Sequence, residues 1–123
     1  MAEVITAGEH IITPTILREF TSRRRPGTIV HEVPGREFPP ATVRPAGSRH
    51  GRMMLGFEGV GSEVASDAAE RVLAAGLVYT LTVDGRDTLA LRFVVVGEDI
   101  ERELDDASRD AWTVTFGYRE VAP

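Results

Sequence analysis

Three histidines, nineteen carboxylates and one glycine-rich turn are the parts of this 123-residue chain that could carry chemistry. His10, His31 and His50 never fall at the spacing of a metal pair, and no H-E-x-x-H signature occurs, so each reads as a surface or loop residue. The absence of cysteine removes disulfides, thiolate ligands and cysteine nucleophiles together, and suits a protein made in a reducing cytoplasm. Gly56-Phe-Glu-Gly59-Val-Gly61 stands where a phosphate loop would stand, between a strand and a helix. Its order is G-x-x-G-x-G, and no Gly-Lys-Ser/Thr follows to meet a phosphate. A tight strand-to-helix connection explains the glycines without a ligand.

Ser48 and His50 offer a nucleophile and a base but no third group to orient them. Glu98, Asp99, Glu101, Glu103, Asp105, Asp106 and Asp110 supply oxygen ligands. They lack the alternating acid positions and mid-loop glycine of an EF-hand, so a calcium loop is the weaker reading and a solvated acidic face the stronger. Acids in so hydrophilic a run have no surroundings to push their pKa values apart. The sequence therefore predicts a non-enzymatic protein without cofactor or metal.

Charge is unevenly spread. Residues 1–60 carry eight arginines against six acids, and residues 61–123 carry six against thirteen. All fourteen basic residues are arginine. Arg23-Arg24-Arg25, with Arg18 nearby, would suit nucleic-acid phosphate. The chain is acidic overall, however, and has no interleaved aromatics and no helix-turn-helix or finger signature. Pairing with the acidic run of a neighbouring subunit is the simpler expectation, because the planar guanidinium forks onto carboxylates. The expected interface consists of Arg23, Arg24, Arg25 and Arg36 on one side and Glu98, Asp99, Glu101, Glu103, Asp105 and Asp106 on the other.

The elements that position these groups centre on residues 52–96. Met53, Leu55 and Phe57 alternate at the period of a half-buried strand. Ser62 reads as the N-cap of a helix over about 62–75, with Val64, Ala68, Val72 and Ala75 at helical spacing and Ala65, Ala69 and Leu73 widening the apolar stripe. Gly76 stands where a C-terminal glycine belongs. Leu77 to Val83 is a strand, Asp84-Gly85 a turn, and Leu89 to Val96 its return. Residues 97–111 read as a long acidic connection with at most a turn of helix. In the last strand Trp112, Val114, Phe116 and Tyr118 share one face and Thr113, Thr115 and Arg119 the other.

The N-terminal third is less regular. Val4, Ile5, Ile11 and Ile12 fit a short edge strand or a docking arm, and Ile16, Leu17 and Phe20 fit either a strand or one helical turn. Thr28 to Val33 is β-prone, Phe38-Pro-Pro40 is unfit for a central strand, and Ala41 to Arg44 is extended. No apolar run approaches the length of a membrane span, and the N-terminus shows no secretory signal. The expected fold is α+β and mainly β: an antiparallel sandwich or split barrel with one packed helix. One domain spans 1–123, with an N-terminal arm and loop over 1–27 and a β-rich core over 28–123.

Several segments taken together resemble short minor tail proteins of siphophages infecting actinobacteria. These are Ile12-Thr-Pro-Thr15, Val43-Arg-Pro-Ala-Gly47, Arg52-Met-Met-Leu-Gly-Phe57 ahead of an alanine-rich helix, and Leu104-Asp-Asp106 leading to Trp112-Thr-Val-Thr-Phe116 and Arg119-Glu-Val121. The resemblance implies a virion structural protein at or near the tail tip or baseplate, made in the host cytoplasm, with a tail-tube-like fold. It implies a ring, hexameric or trimeric, with itself and neighbouring tail proteins as partners, and no membrane or sequence-specific nucleic acid. Thr80, Thr82, Thr113, Thr115 and Arg119 would then face a lumen or solvent, and Leu77, Tyr79, Leu81, Trp112, Val114, Phe116 and Tyr118 the helix. The rival reading is a small carbohydrate- or receptor-binding β module with Trp112, Tyr118 or Tyr79 as a stacking platform.

Overall fold

The computed structural model describes residues 3–105, 107 and 109–122, excluding the Glu98 side chain. Their strands are β1 (Glu3–Ala7), β2 (His10–Ile12), β3 (Ile16–Phe20), β4 (Ile29–Val30), β5 (Ala41–Thr42) and β6 (His50–Glu58), followed by the helix α1 (Ser62–Leu73). Then come β7 (Tyr79–Val83), a 3₁₀ turn at Asp87–Leu89, β8 (Leu91–Leu104) and β9 (Ala111–Glu120). Seven strands pair antiparallel in the order β2-β1-β7-β8-β9-β6-β3, and β4 and β5 form a separate ribbon. The protein is mainly β with one helix on the sheet, as its alternating strands and single helical stripe predict.

The inward face follows the period of two. Met53, Leu55 and Phe57 of β6, Tyr79, Leu81 and Val83 of β7, and Val114, Phe116 and Tyr118 of β9 are all buried. Phe93 of β8 lies at the centre, with ring centroids 5.5 Å from Tyr79, 5.9 Å from Phe116 and 6.0 Å from Tyr118. The hydroxyl of buried Tyr79 donates to the Val72 carbonyl at 2.6 Å and lies 3.1 Å from that of Leu73, tying β7 to the last helical turn.

Four sequence expectations are corrected. The first is the acidic connection. Residues 97–104 continue β8 instead of forming a loop, and only 105–110 join it to β9. Val96 pairs with Gly117 and Glu101 with Thr115, so β8 takes five steps where β9 takes two. The three extra residues form a wide bulge. Being odd in number, they move the inward side from Leu91 and Phe93 to Arg102 and Leu104. An inward arginine hid the alternation of Glu101-Arg-Glu103-Leu104.

The second correction concerns the helix. Ser62, Ser66, Ala69 and Leu73 face inward, while Val64 is 74% exposed and Ala65, Ala68 and Ala75 lie outside. The cause is Arg102, whose Nε donates to the Ser66 hydroxyl at 3.0 Å and whose terminal nitrogen donates to the Glu63 carbonyl at 3.0 Å. Its guanidinium also stacks 3.8 Å from the Trp112 ring centroid. The first turns of α1 thus cover a charged group, which favours serine over valine. Gly61, in the left-handed region at φ +85°, occupies the N-cap in place of Ser62. Ser62 is the first helical residue and donates to the Asp110 carbonyl at 3.1 Å.

The third correction is at the N-terminus. Residues 3–20 do not stand off as an arm: β1 and β2 complete one side of the sheet beyond β7, and β3 completes the other beyond β6. The stretch Ile16–Phe20, open between strand and helix in sequence, is a strand. The fourth lies among the residues assigned to the two sheet faces. Thr115 is buried and Thr82 and Arg119 are exposed, whereas Trp112 is half-buried and Leu77 sits at the exposed edge of the segment before β7.

Candidate subunit interface

The two strands β3 and β6 do not stop at the sheet. Beyond Phe20 and before His50 the chain runs on as a narrow antiparallel arm. Arg23 and His50 exchange backbone hydrogen bonds at 2.8 and 2.9 Å, Gly47 N–H donates to the Arg25 carbonyl at 3.0 Å, and His31 N–H donates to the Pro40 carbonyl at 2.9 Å. Between these rungs Arg44 Nε donates to the Gly27 carbonyl at 3.2 Å, and a His31 ring nitrogen lies 2.9 Å from the Thr42 hydroxyl. A dozen residues per strand reach on the order of 40 Å. Except for half-buried Gly27 and Ser48, residues 22–48 are exposed. The arm nonetheless carries Ile29, Val30, Val33, Phe38 at 81% exposure and Val43 at 80%.

The arm is locked at its base. Arg49 donates to the carbonyls of Thr88 and Ala90 at 2.8 and 3.3 Å and to the Glu120 carboxylate at 2.8 Å. It thereby ties the start of β6 to the 3₁₀ turn and to the end of β9. Hydrogen bonding from Arg49 is the main reason that the Glu120 carboxyl sits below the usual carboxylate range, and the Arg49 guanidinium is raised by the same bond. Tyr118 donates to the Thr21 carbonyl at 2.6 Å, and burial pushes its phenol above the ordinary value. Gly51 is required here because a Cβ would lie 2.1 Å from the Thr21 oxygen. Arg49, Gly51 and the bond from Tyr118 to Thr21 went unrecognised in the sequence because the partners lie up to 97 residues away.

Arg23, Arg24, Arg25 and Arg36 all fall on the arm, the first three near its base and Arg36 in the tip turn. Asp99, Glu101, Glu103 and Asp105 are exposed along the second half of β8 and just past its end. Asp106 and the Glu98 side chain fall outside the described residues. Among the described residues, none of the four arginines forms an ion pair with Asp99, Glu101 or Glu103 of its own chain. Asp99, Glu101 and Glu103 thus hold exposed charge on β8, and the four arginines hold theirs on the arm.

Under the β8 bulge, the outer sheet face holds a groove of about 590 Å³. His50, Arg52 and Arg119 line it together with Asp99 and Glu101, and Gly117 lies among them. Among the described residues no three histidine or carboxylate groups converge as a metal site requires, and no helix is long and apolar enough to cross a membrane. Tyr79 and Tyr118 belong to the core, and Arg102 covers one face of Trp112, which corrects their assignment as an open stacking platform. Compared with known proteins, the chain matches no family model and no curated protein.

Proposed function

We propose that the chain is a non-enzymatic structural subunit of a siphophage tail, at or near the tip, which assembles into a ring with its own copies and with neighbouring tail proteins. The observation that carries this reading is the arm: a two-stranded ribbon bearing five large apolar side chains in water. A lone two-stranded ribbon is marginal in stability, and exposed apolar residues on it gain only when another surface covers them. The acids along β8 and the arginines of the arm give such contacts a register and an orientation. The resemblance to minor tail proteins supplies the setting, and a tail-tube-like curvature of the sheet belongs to the same proposal.

Negative-stain imaging and light scattering of the purified protein test it. Rings or larger species are expected at low salt, alone or after addition of neighbouring tail proteins. A monomer at high concentration and low salt, unchanged by those partners, would end the reading.

A further inference from the structure

The arm needs a surface, and the fold offers one at α1. With Ser62, Ser66, Ala69 and Leu73 turned inward, the outward side presents Val64, Ala65 and Ala68, and Val60 stands fully exposed just ahead of the helix. At 100° per residue Glu63, Asp67 and Glu70 lie to one side of that stripe, with Arg71, paired to Asp67 at 3.2 Å, between them and Val64. The twelve helical residues carry these three acids and Arg71, a net charge of −2. Residues 22–48 carry five arginines and two glutamates, a net charge of +3. Both surfaces expose apolar side chains among charged ones, and their net charges are opposite in sign. Their lengths agree as well: twelve helical residues span roughly 18 Å, the reach of five or six residues of strand.

We propose that the arm of one subunit lies along the outward face of α1 of a neighbouring copy, with Phe38 and Val43 over Val60, Val64 and Ala68 and the arm arginines beside Glu63, Asp67 and Glu70. This rests on the reading of the chain as a self-assembling subunit and gives that assembly its contact. The two patches differ, so each subunit gives an arm and receives one. Such head-to-tail contacts close into rings or extend as filaments. Opposite charges steer the encounter, and apolar cover then holds it.

The chain has no cysteine, so paired cysteines report the contact without background. Phe38→Cys and Val64→Cys are each placed at an exposed site and mixed under mild oxidation. The expected result is a disulfide-linked heterodimer, in excess over either variant alone and over Phe38→Cys mixed with Thr82→Cys on the opposite sheet face. A Val64→Arg variant, checked for unchanged circular dichroism and melting, should weaken self-association on the order of tenfold or more, the scale of losing a central apolar contact. Oligomers that form without the cross-link, and that Val64→Arg leaves intact, would overturn the arm–helix contact while the assembly reading stands. A wild-type protein monomeric under every condition would overturn both.

Discussion

The sheet core and the arm draw on similar residues and end in opposite surroundings. In the core, Tyr79, Phe116 and Tyr118 are buried with ring centroids within 6.0 Å of the buried Phe93 ring, beneath α1 and between strands paired on both sides. In the arm, Ile29 and Val30 of the short strand β4, with Phe38 and Val43 beside the ribbon's pairing, remain in water. Burial here is decided by the presence of a second layer. The core receives its cover from the chain itself, and the arm receives none from the described residues of its own chain.

The largest effect expected from that contrast is in the core. Phe93→Ala should lower unfolding stability in urea by about 3–5 kcal/mol, since a central ring leaves a cavity that its neighbours cannot close. Phe38→Ala, the same truncation on the arm, should change monomer stability by no more than about 0.5 kcal/mol and lower self-association instead. Equal losses of stability at the two sites would break the comparison. Arg102→Ala should cost about 1–3 kcal/mol, because it removes the hydrogen bonds to the Ser66 hydroxyl and the Glu63 carbonyl and uncovers one face of Trp112. Arg102→Lys should restore only part of that, lacking the planar fork that reaches both acceptors and stacks on Trp112.

At the arm's base, Gly51→Ala should cost roughly 1–3 kcal/mol by forcing the Thr21 carbonyl outward, and hydrogen exchange should show faster opening at Arg23 and His50 than in β7. The smallest effect concerns pH. Glu120 has a folded pKa below its unfolded value, so its pairing with Arg49 stabilises above the unfolded pKa, and that stabilisation is lost as pH falls through the folded one. Glu120→Gln should therefore be less stable than wild type by about 1 kcal/mol at neutral pH, with the gap closing toward acid in pH-dependent urea melts.

Much of the sheet was legible. Met53-Leu55-Phe57 and Val114-Phe116-Tyr118 alternate without a break, and both are buried strands facing the same core. The Asp84-Gly85 turn follows β7 as its residue types require. The inward side of the helix was misread because apolar count favours Val64 and Ala68, while the inward choice depends on Arg102, whose contacts lie 36 and 39 residues away. The second half of β8 was misread because a three-residue bulge breaks its period. Of the expected interface residues, Arg23, Arg24 and Arg25 were read as part of a loop, and only pairing across 21–52 shows that this stretch is one side of an arm.

By itself the sequence determined where the chain alternates, where it turns and where it is helical, because these preferences are set by neighbours one to four residues apart. It also set the sign of charge at each end. The tertiary structure alone decided that β1 pairs with β7, that Arg102 turns under the helix, and that residues 22–48 leave the core as a ribbon. Those outcomes depend on which distant backbone groups meet, and pairing over seventy or more residues is chosen by the packing of the whole sheet.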